Sequence, residues 1–217
     1  MTVALSARLT RAPRFHLCLR PLRAVMMSLM TESEIVLVRH GDTEWSTSGR
    51  HTSYSDIRLT EHGQEQARAL AARLQHCDFA LVLMSPRIRA IQTCELASSS
   101  DAAEITDDLA EWNYGEYEGR TTASIREERP GWSIFNGGAP GGETAAEVGA
   151  RADRLLARVA AANGTVAMFS HAHFLRVLAV RWIGLPVADG ALLALDPATI
   201  SLLSHEREQR VIRVWNS

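Results

Sequence analysis

Three short apolar runs constrain the fold of this 217-residue chain more than any other feature. They are EIVLV at 34–38, FALVLM at 79–84 and TVAMF at 165–169, and each ends at polar residues. Short apolar runs with such boundaries are typical of buried parallel strands. Helical patterns separate them, the first with Thr60 as its N-cap. This alternation predicts an α/β fold, a three-layer α/β/α sandwich with a mostly parallel central sheet.

The remaining pattern predicts further helices and an insertion. Ser85 and Pro86 follow the second run as the expected cap and first residue of a helix that ends near Ala97. The other predicted elements are a helix over Glu143–Ala162, one that ends near Ile183, and an edge hairpin of Ile200–Ser204 and Val211–Trp215.

The segment from Asp107 to Gly142 is rich in Gly and aromatic residues and is predicted to cover the top of the sheet, with a short helix near Thr122–Glu128. Loops of this length inside a compact domain are usually functional. Its aromatic side chains either line a lid over a sugar phosphate or simply pack the insertion. They are Trp112, Tyr114, Tyr117, Trp132 and Phe135.

The N-terminus differs from the rest of the chain. Residues 1–30 contain five arginines and no acidic residue, a composition that resembles a transit peptide. Two other interpretations are a flexible basic tail and a start codon assigned too early, with Met26, Met27 or Met30 as the true start. We expect residues 1–32 to be a poorly ordered extension and 33–217 to form one domain.

Composition limits the partners and the compartment. A net charge of −2 does not favour nucleic acid or an anionic membrane, and no apolar run approaches the ~20 residues that span a bilayer. Cys18, Cys77 and Cys94 are odd in number and lack metal-ligand or redox spacing, so we expect free thiols in a reducing compartment. The chain is predicted to be cytoplasmic, and its assembly into a homo-oligomer is left open.

The carboxyl ends of the three runs predict a site. Ligands bind at this edge of parallel sheets, and His40, the segment 85–89 and Ser170-His171 should meet there. Arg39 and Arg89 offer forked donors that match phosphate, whereas Arg87 and Arg89 taken alone would be solvated helix charges. Neither a P-loop nor a metal cage is evident, so no cofactor or metal is predicted and Arg and His must neutralise the anion.

Five motifs are shared with a known family. LVRHGDTEW, SPRIRAIQT, LAEWNYGEYEG, PGGET and SHAHFLR resemble the histidine phosphatase superfamily, which includes phosphoglycerate mutases and many acid phosphatases. The resemblance runs from about Ile35 to Trp215 and implies a phosphoglycerate mutase-like fold. EWNYGEYEG and WSTSGRHTSYSDIRLT are most similar to the sedoheptulose-bisphosphatase-like branch.

The resemblance also implies residue roles. His40 is the expected nucleophile and Glu111 the proton donor to the leaving group. The phosphoryl oxygens are expected to contact Arg39, Arg89 and His171.

Weaker candidates for substrate contacts are Ser46, Thr52 and Ala172. The family usually has Glu or Gln where Asp42 stands, a change that should leave the chemistry intact. It often has Asn where Ser46 stands, which bears on substrate identity. His173, where many members have a small or polar residue, is at most pocket-lining.

These roles predict a metal-independent phosphomonoesterase, a histidine-type acid phosphatase that forms a phosphohistidine on His40. Its partner would be a small phosphate ester, such as a sugar phosphate. It should work best at neutral to acidic pH and be indifferent to chelators. One alternative is a phosphoglycerate mutase, which returns the phosphoryl group to a bound sugar acid. The other is a non-catalytic phospho-ligand binding module, which would be expected to lack His40, Glu111 or His171.

Overall fold

A six-stranded sheet forms the centre of the protein, as the computed structural model shows for residues 34–98 and 102–217. The strand order is β3-β2-β4-β1-β5-β6. The first four strands pair in parallel, whereas β5 pairs antiparallel with both β1 and β6. The predicted mostly parallel sheet is therefore confirmed. The strands are β1 (Ile35–Arg39), β2 (Phe79–Met84), β3 (Glu104–Ile105), β4 (Thr165–Ser170), β5 (Ile200–Glu206) and β6 (Gln209–Val214).

Helices cover both faces of the sheet. Along β1, Ile35 and Leu37 pack into one hydrophobic cluster and Val36 and Val38 into another, because successive strand residues point to opposite faces. The three-layer prediction is confirmed. The helices are α1 (Glu44–Thr47), α2 (Glu61–Leu74), α3 (Ile88–Ala97), α4 (Thr122–Glu128), α5 (Ile134–Gly137), α6 (Ala145–Ala160) and α7 (Ala172–Trp182). Helices α6 and α7 lie on the first face, and α2 and α3 on the second.

The helix caps agree with the sequence at α2 and differ at α3. The Thr60 side chain accepts the Gly63 N–H at 3.0 Å, as predicted. The predicted cap at Ser85 with Pro86 as first helical residue is wrong, because α3 begins at Ile88 with Arg87 as its N-cap. The free N–H of Ile88 donates to an Asp56 carboxylate oxygen at 2.7 Å, so a residue remote in sequence supplies the cap.

The insertion after β3 packs as part of the core. Its five aromatic side chains are all at most 6% exposed and belong to the cluster that also holds α6 and α7. The packing interpretation of these aromatics is thus confirmed. The insertion is held by polar contacts as well, since the Trp112 indole donates to the Glu143 carbonyl at 2.9 Å.

Some predictions fall outside the described residues. The basic extension of residues 1–32, the domain start at residue 33 and Cys18 lie there. Within the described part, Cys77 and Cys94 are free thiols, as expected. None of the helices in that same part is long and apolar enough to cross a membrane.

Candidate active site

The three predicted strand ends meet at one edge of the sheet. His40 follows β1, and its N–H donates to the Ser170 carbonyl at the end of β4 at 3.0 Å. The rings of His40 and His171 have centroids 5.1 Å apart at an interplanar angle of 62°. Arg89, on α3 after β2, donates its Nε–H to Nδ1 of His171 at 3.2 Å. The convergence predicted from the sequence is confirmed.

The protonation of the buried His40 ring follows from its contacts. Nδ1 lies 2.8 Å from the Gly41 carbonyl oxygen, which can only accept, so Nδ1 has the proton and Nε2 has the lone pair. Burial, and then the cations Arg89 and Arg39, hold the pKa of His40 well below its ordinary value. Thr93, which the sequence did not single out, accepts the Gly41 N–H at 3.1 Å. The result is a neutral imidazole with Nε2 available as a nucleophile.

A close backbone approach holds the loop after β1. A Cβ on Gly41 would lie 2.4 Å from the Gly63 carbonyl oxygen, and a Cβ on Gly63 would lie 2.1 Å from that of Asp42. Both positions therefore require glycine. The start of α2 is thereby pressed against the loop that contains His40.

Arg89 is fully buried and uses every nitrogen of its guanidinium. Besides His171, it donates from Nη1 to the Ser55 carbonyl at 3.1 Å and from Nη2 to the Thr52 carbonyl at 3.0 Å. Burial lowers its pKa to about 10, which leaves it cationic at neutral pH. Arg89 thus joins α3, the 52–55 loop and His171 into one unit.

His171 occupies the N-cap position of α7 and is fully buried. Because Nδ1 accepts from Arg89, Nε2 has the proton and donates to the Ser85 hydroxyl at 2.7 Å. Burial and the neighbouring cations lower its pKa well below the ordinary value, so the ring is neutral. Ser85 was predicted to cap a helix, but its hydroxyl instead hydrogen-bonds to His171.

Arg39 and Arg87 each have a buried Nε–H without an acceptor in the described part of the chain. Arg39 donates from Nη1 to the Leu195 carbonyl, yet among the described residues neither its Nε nor that of Arg87 has an acceptor. An unpaired buried donor costs roughly 1–3 kcal/mol, which an anionic oxygen would recover. Taken alone in the sequence, Arg87 would be a solvated helix charge. The structure instead stacks its guanidinium over Tyr54 at 4.6 Å, near enough to Arg89 and His171 to lower their pKa values.

The carboxyl of Glu111, in the insertion, lies against the start of α7, and the residue is only 5% exposed. Its Oε1 accepts the N–H groups of Trp112 at 2.9 Å and Phe174 at 2.8 Å, and Oε2 accepts that of His173 at 3.1 Å. Burial raises the pKa of Glu111 despite these donors, which act in the opposite direction. Such a carboxyl can hold a proton and give it up to an anion that forms beside it.

The weaker candidates have local partners. The Ser46 hydroxyl closes a capping box with Thr43 and lies 3.3 Å from an Asp42 carboxylate oxygen. The Thr52 hydroxyl donates to the Arg50 carbonyl at 3.0 Å. Ala172 begins α7 directly after His171. Substrate contacts of Ser46, Thr52 and Ala172 stay predictions.

The positive charge at this edge belongs to side chains. Within residues 34–98 and 102–217, no group of three or more His, Cys, Asp or Glu side chains is arranged to hold a metal ion. Arg39, Arg87 and Arg89 are the cations beside His40 and His171. Three guanidiniums around two neutral imidazoles form a site suited to a phosphoryl group.

Comparisons with known proteins agree with this geometry. The family model described as "Histidine phosphatase superfamily (branch 1)" matches residues 35–217. An acid phosphatase of Mycobacterium tuberculosis is 40% identical over 185 residues, which cover 83% of this chain and 90% of that protein. A sedoheptulose 1,7-bisphosphatase of Saccharomyces cerevisiae is 35% identical, with 70% of this chain and 68% of that protein covered.

Solved structures are similar over most of the chain. The structure of an open reading frame from Mycobacterium tuberculosis is similar to this chain with a TM-score of 0.82 and 39% identity. The match covers 85% of this chain and 97% of the other. A mycobacterial glucosyl-3-phosphoglycerate phosphatase, solved with VO3, has a TM-score of 0.75 and 26% identity, with 85% and 99% covered. The phosphoglycerate mutase-like fold and the resemblance seen in the motifs are confirmed: the chain belongs to the histidine phosphatase superfamily, branch 1.

Proposed function

We propose that this chain is a phosphomonoesterase that transfers a phosphoryl group first to His40 and then to water. The observation that supports this most directly is the orientation of His40. Its Nδ1–H is fixed on the Gly41 carbonyl, which leaves the Nε2 lone pair free beside Arg39 and Arg89. A neutral imidazole held in this way is a competent nucleophile for phosphorus.

The proposed reaction has two steps. In the first, Nε2 of His40 forms a bond to phosphorus while the bond from phosphorus to the ester oxygen breaks, and Glu111 gives its proton to the departing alkoxide. In the second, Glu111 as carboxylate takes a proton from water, whose oxygen attacks phosphorus and releases His40. The guanidiniums of Arg39 and Arg89 stabilise the equatorial oxygens in both steps. The products are an alcohol and inorganic phosphate.

We further propose a small sugar phosphate as the substrate. Proteins similar to this chain are named sedoheptulose 1,7-bisphosphatase and glucosyl-3-phosphoglycerate phosphatase, so sugar phosphates recur among them. Arg87, whose Nε has no acceptor among residues 34–98 and 102–217, adds a guanidinium beyond those needed for one phosphoryl group. A cytoplasmic location is also part of this proposal, because an odd number of cysteines favours free thiols in a reducing compartment. Assembly into a homo-oligomer stays open.

The test is phosphate release combined with trapping of the intermediate. Wild-type protein should release phosphate from p-nitrophenyl phosphate and from sugar phosphates, and should acquire acid-labile label from a labelled substrate. His40→Ala should lose both, whereas His62→Ala, at a largely exposed histidine of α2, should keep both. Retained turnover in His40→Ala would contradict the proposal.

The same experiment addresses the alternatives. Isomerisation of 3-phosphoglycerate without net phosphate release would indicate a mutase, and one similar protein, 29% identical, is named a probable phosphoglycerate mutase. Binding of phosphate esters without label would indicate a binding module. Activity that EDTA abolishes and an added divalent metal restores would contradict a metal-independent mechanism.

A further inference from the structure

The loop that leads into β5, residues 194–199, contacts the arginine beside the proposed nucleophile. The Leu195 carbonyl accepts from Nη1 of Arg39. The N–H of Arg39 donates to the Thr199 carbonyl at 3.2 Å. This segment, the 194–199 loop, therefore holds both the side chain and the backbone of Arg39.

The side chain of Asn216 binds the peptide group between Leu195 and Asp196. Oδ1 of Asn216 accepts the Asp196 N–H at 2.7 Å, and its Nδ2–H donates to Oδ2 of Asp196 at 2.8 Å. The Asp196 N–H and the Leu195 carbonyl belong to one planar peptide unit, so an acceptor that fixes the N–H also fixes the direction of the carbonyl. Asn216 thereby sets the direction of the acceptor to which Arg39 donates.

The backbone around Asn216 is anchored as well. Ser217 exchanges two backbone hydrogen bonds with Ile200, at 3.0 and 3.1 Å. The Trp215 indole donates to the Ala194 carbonyl at 2.5 Å, at the other end of the loop. Asn216 itself has a φ of 54°, a conformation that asparagine tolerates better than most residues. Its side chain is therefore presented to the loop from a fixed backbone.

The consequence for Arg39 is a guanidinium with one fixed end. With Nη1 bound to Leu195, the planar group cannot rotate freely. Its buried Nε–H has no acceptor among residues 34–98 and 102–217, and is thus kept in one direction, available to an anionic oxygen. Burial lowers the pKa of Arg39, and the Asp196 carboxylate is one of the groups that raise it again, so the same loop also supports the positive charge.

Resting on the proposed function, we propose that Asn216 is a positioning residue: by fixing the Leu195–Asp196 peptide, it holds the Arg39 guanidinium in the orientation that contacts the transferred phosphoryl group. Asn216 acts through Arg39 rather than on the reacting atoms. Asparagine suits this position because it tolerates the positive φ and offers a donor and an acceptor together.

The test measures kcat/KM on p-nitrophenyl phosphate and inhibition by orthovanadate, which imitates the five-coordinate phosphorus of the transfer step. Asn216→Gly keeps the positive φ and removes both side-chain hydrogen bonds. We expect kcat/KM to fall about three- to tenfold, and vanadate inhibition to weaken by the same factor, because both depend on Arg39. Asn163→Gly, at an exposed residue in the turn after α6, controls for added backbone freedom and should change neither.

Two further comparisons separate positioning from a general loss of structure. In an Arg39→Lys background, Asn216→Gly should change kcat/KM less than about twofold, because the group through which it acts is already lost. Asn216→Asp sets a carboxylate against that of Asp196 and should lower kcat/KM. Combining it with Asp196→Asn exchanges donor and acceptor, and should recover most of the loss.

Three results would overturn the role of Asn216. One is wild-type kcat/KM and vanadate inhibition in Asn216→Gly, and another is full additivity of its effect with that of Arg39→Lys. If Asn216→Gly unfolds, the exchanged pair carries the test, and a double variant no more active than Asn216→Asp is the third such result.

The labelling of His40 distinguishes this inference from the proposed function. Acid-labile label on wild-type His40, together with any of these three results, contradicts only the role of Asn216. Absence of label on His40 in the wild type contradicts the proposed function itself.

Discussion

Arg89 donates its Nε–H to Nδ1 of His171 across 3.2 Å, and both side chains are fully buried. The contact joins the carboxyl end of β2 to that of β4. It also fixes the His171 tautomer, since Nδ1 must accept and Nε2 must donate to Ser85. One arginine therefore orients a second imidazole opposite the proposed nucleophile.

Arg89→Lys should be far more damaging than a conservative exchange suggests. Lysine keeps the charge but cannot reach His171 and the carbonyls of Thr52 and Ser55 at once. We expect kcat/KM to fall by roughly 10²–10³, and the free energy of unfolding to fall by about 1–3 kcal/mol as buried acceptors lose their donor. Arg68→Lys, on the exposed face of α2, is the matched control. Near-normal kcat/KM in Arg89→Lys would mean that the forked donors of the Arg89 guanidinium are dispensable for activity.

Glu111→Gln should change the shape of the pH profile. The raised pKa of Glu111 extends its protonated form to higher pH, so wild-type activity on sugar phosphates should be lost as pH rises through that pKa. Activity should persist at mildly acidic pH because His40 stays neutral there.

The amide of Glu111→Gln cannot ionise, so the alkaline limb should disappear and kcat should fall by about 10²–10⁴ on alkyl esters. Glu116→Gln, at an exposed position of the same insertion, should leave the profile intact. An alkaline limb that survives in Glu111→Gln would assign the proton to another group.

Arg87→Ala should affect substrates with a second anionic group most. If the unpaired Nε of Arg87 contacts such a group, KM for sugar bisphosphates should rise about tenfold, while monophosphates should change less than about threefold. Arg68→Ala controls for the loss of one surface charge. Equal effects on both substrate classes would place Arg87 on the transferred phosphoryl group instead.

Gly63→Ala should destabilise the protein although alanine favours helices by about 1 kcal/mol over glycine. The added Cβ would lie 2.1 Å from the Asp42 carbonyl oxygen, in the loop that follows His40. We expect a net loss of about 1–3 kcal/mol in the free energy of unfolding, together with reduced kcat. Glu65→Ala, exposed on the same helix, should not destabilise. A thermal midpoint that rises in Gly63→Ala would show that the loop containing Asp42 can move aside with no loss of stability.

The sequence by itself determined the layers of the fold and the edge of the sheet where polar groups meet. The apolar runs, the Thr60 cap and the helix Thr122–Glu128 could be predicted because periodicity and capping are local. Each of them depends only on residues a few positions apart in the sequence. Since parallel strands share one carboxyl edge, the convergence of His40, Arg89 and His171 followed from the same local information.

Only the tertiary structure decided which atoms meet at that edge. Asp56 caps α3 in place of Ser85, which bonds to His171 instead, and Tyr114 pairs with His173 across the insertion. Each contact joins positions more than thirty residues apart, and its geometry depends on the packing of whole layers rather than on any local pattern. Burial acts in the same way, since it sets the protonation of His40 and Glu111 only once helices cover the sheet.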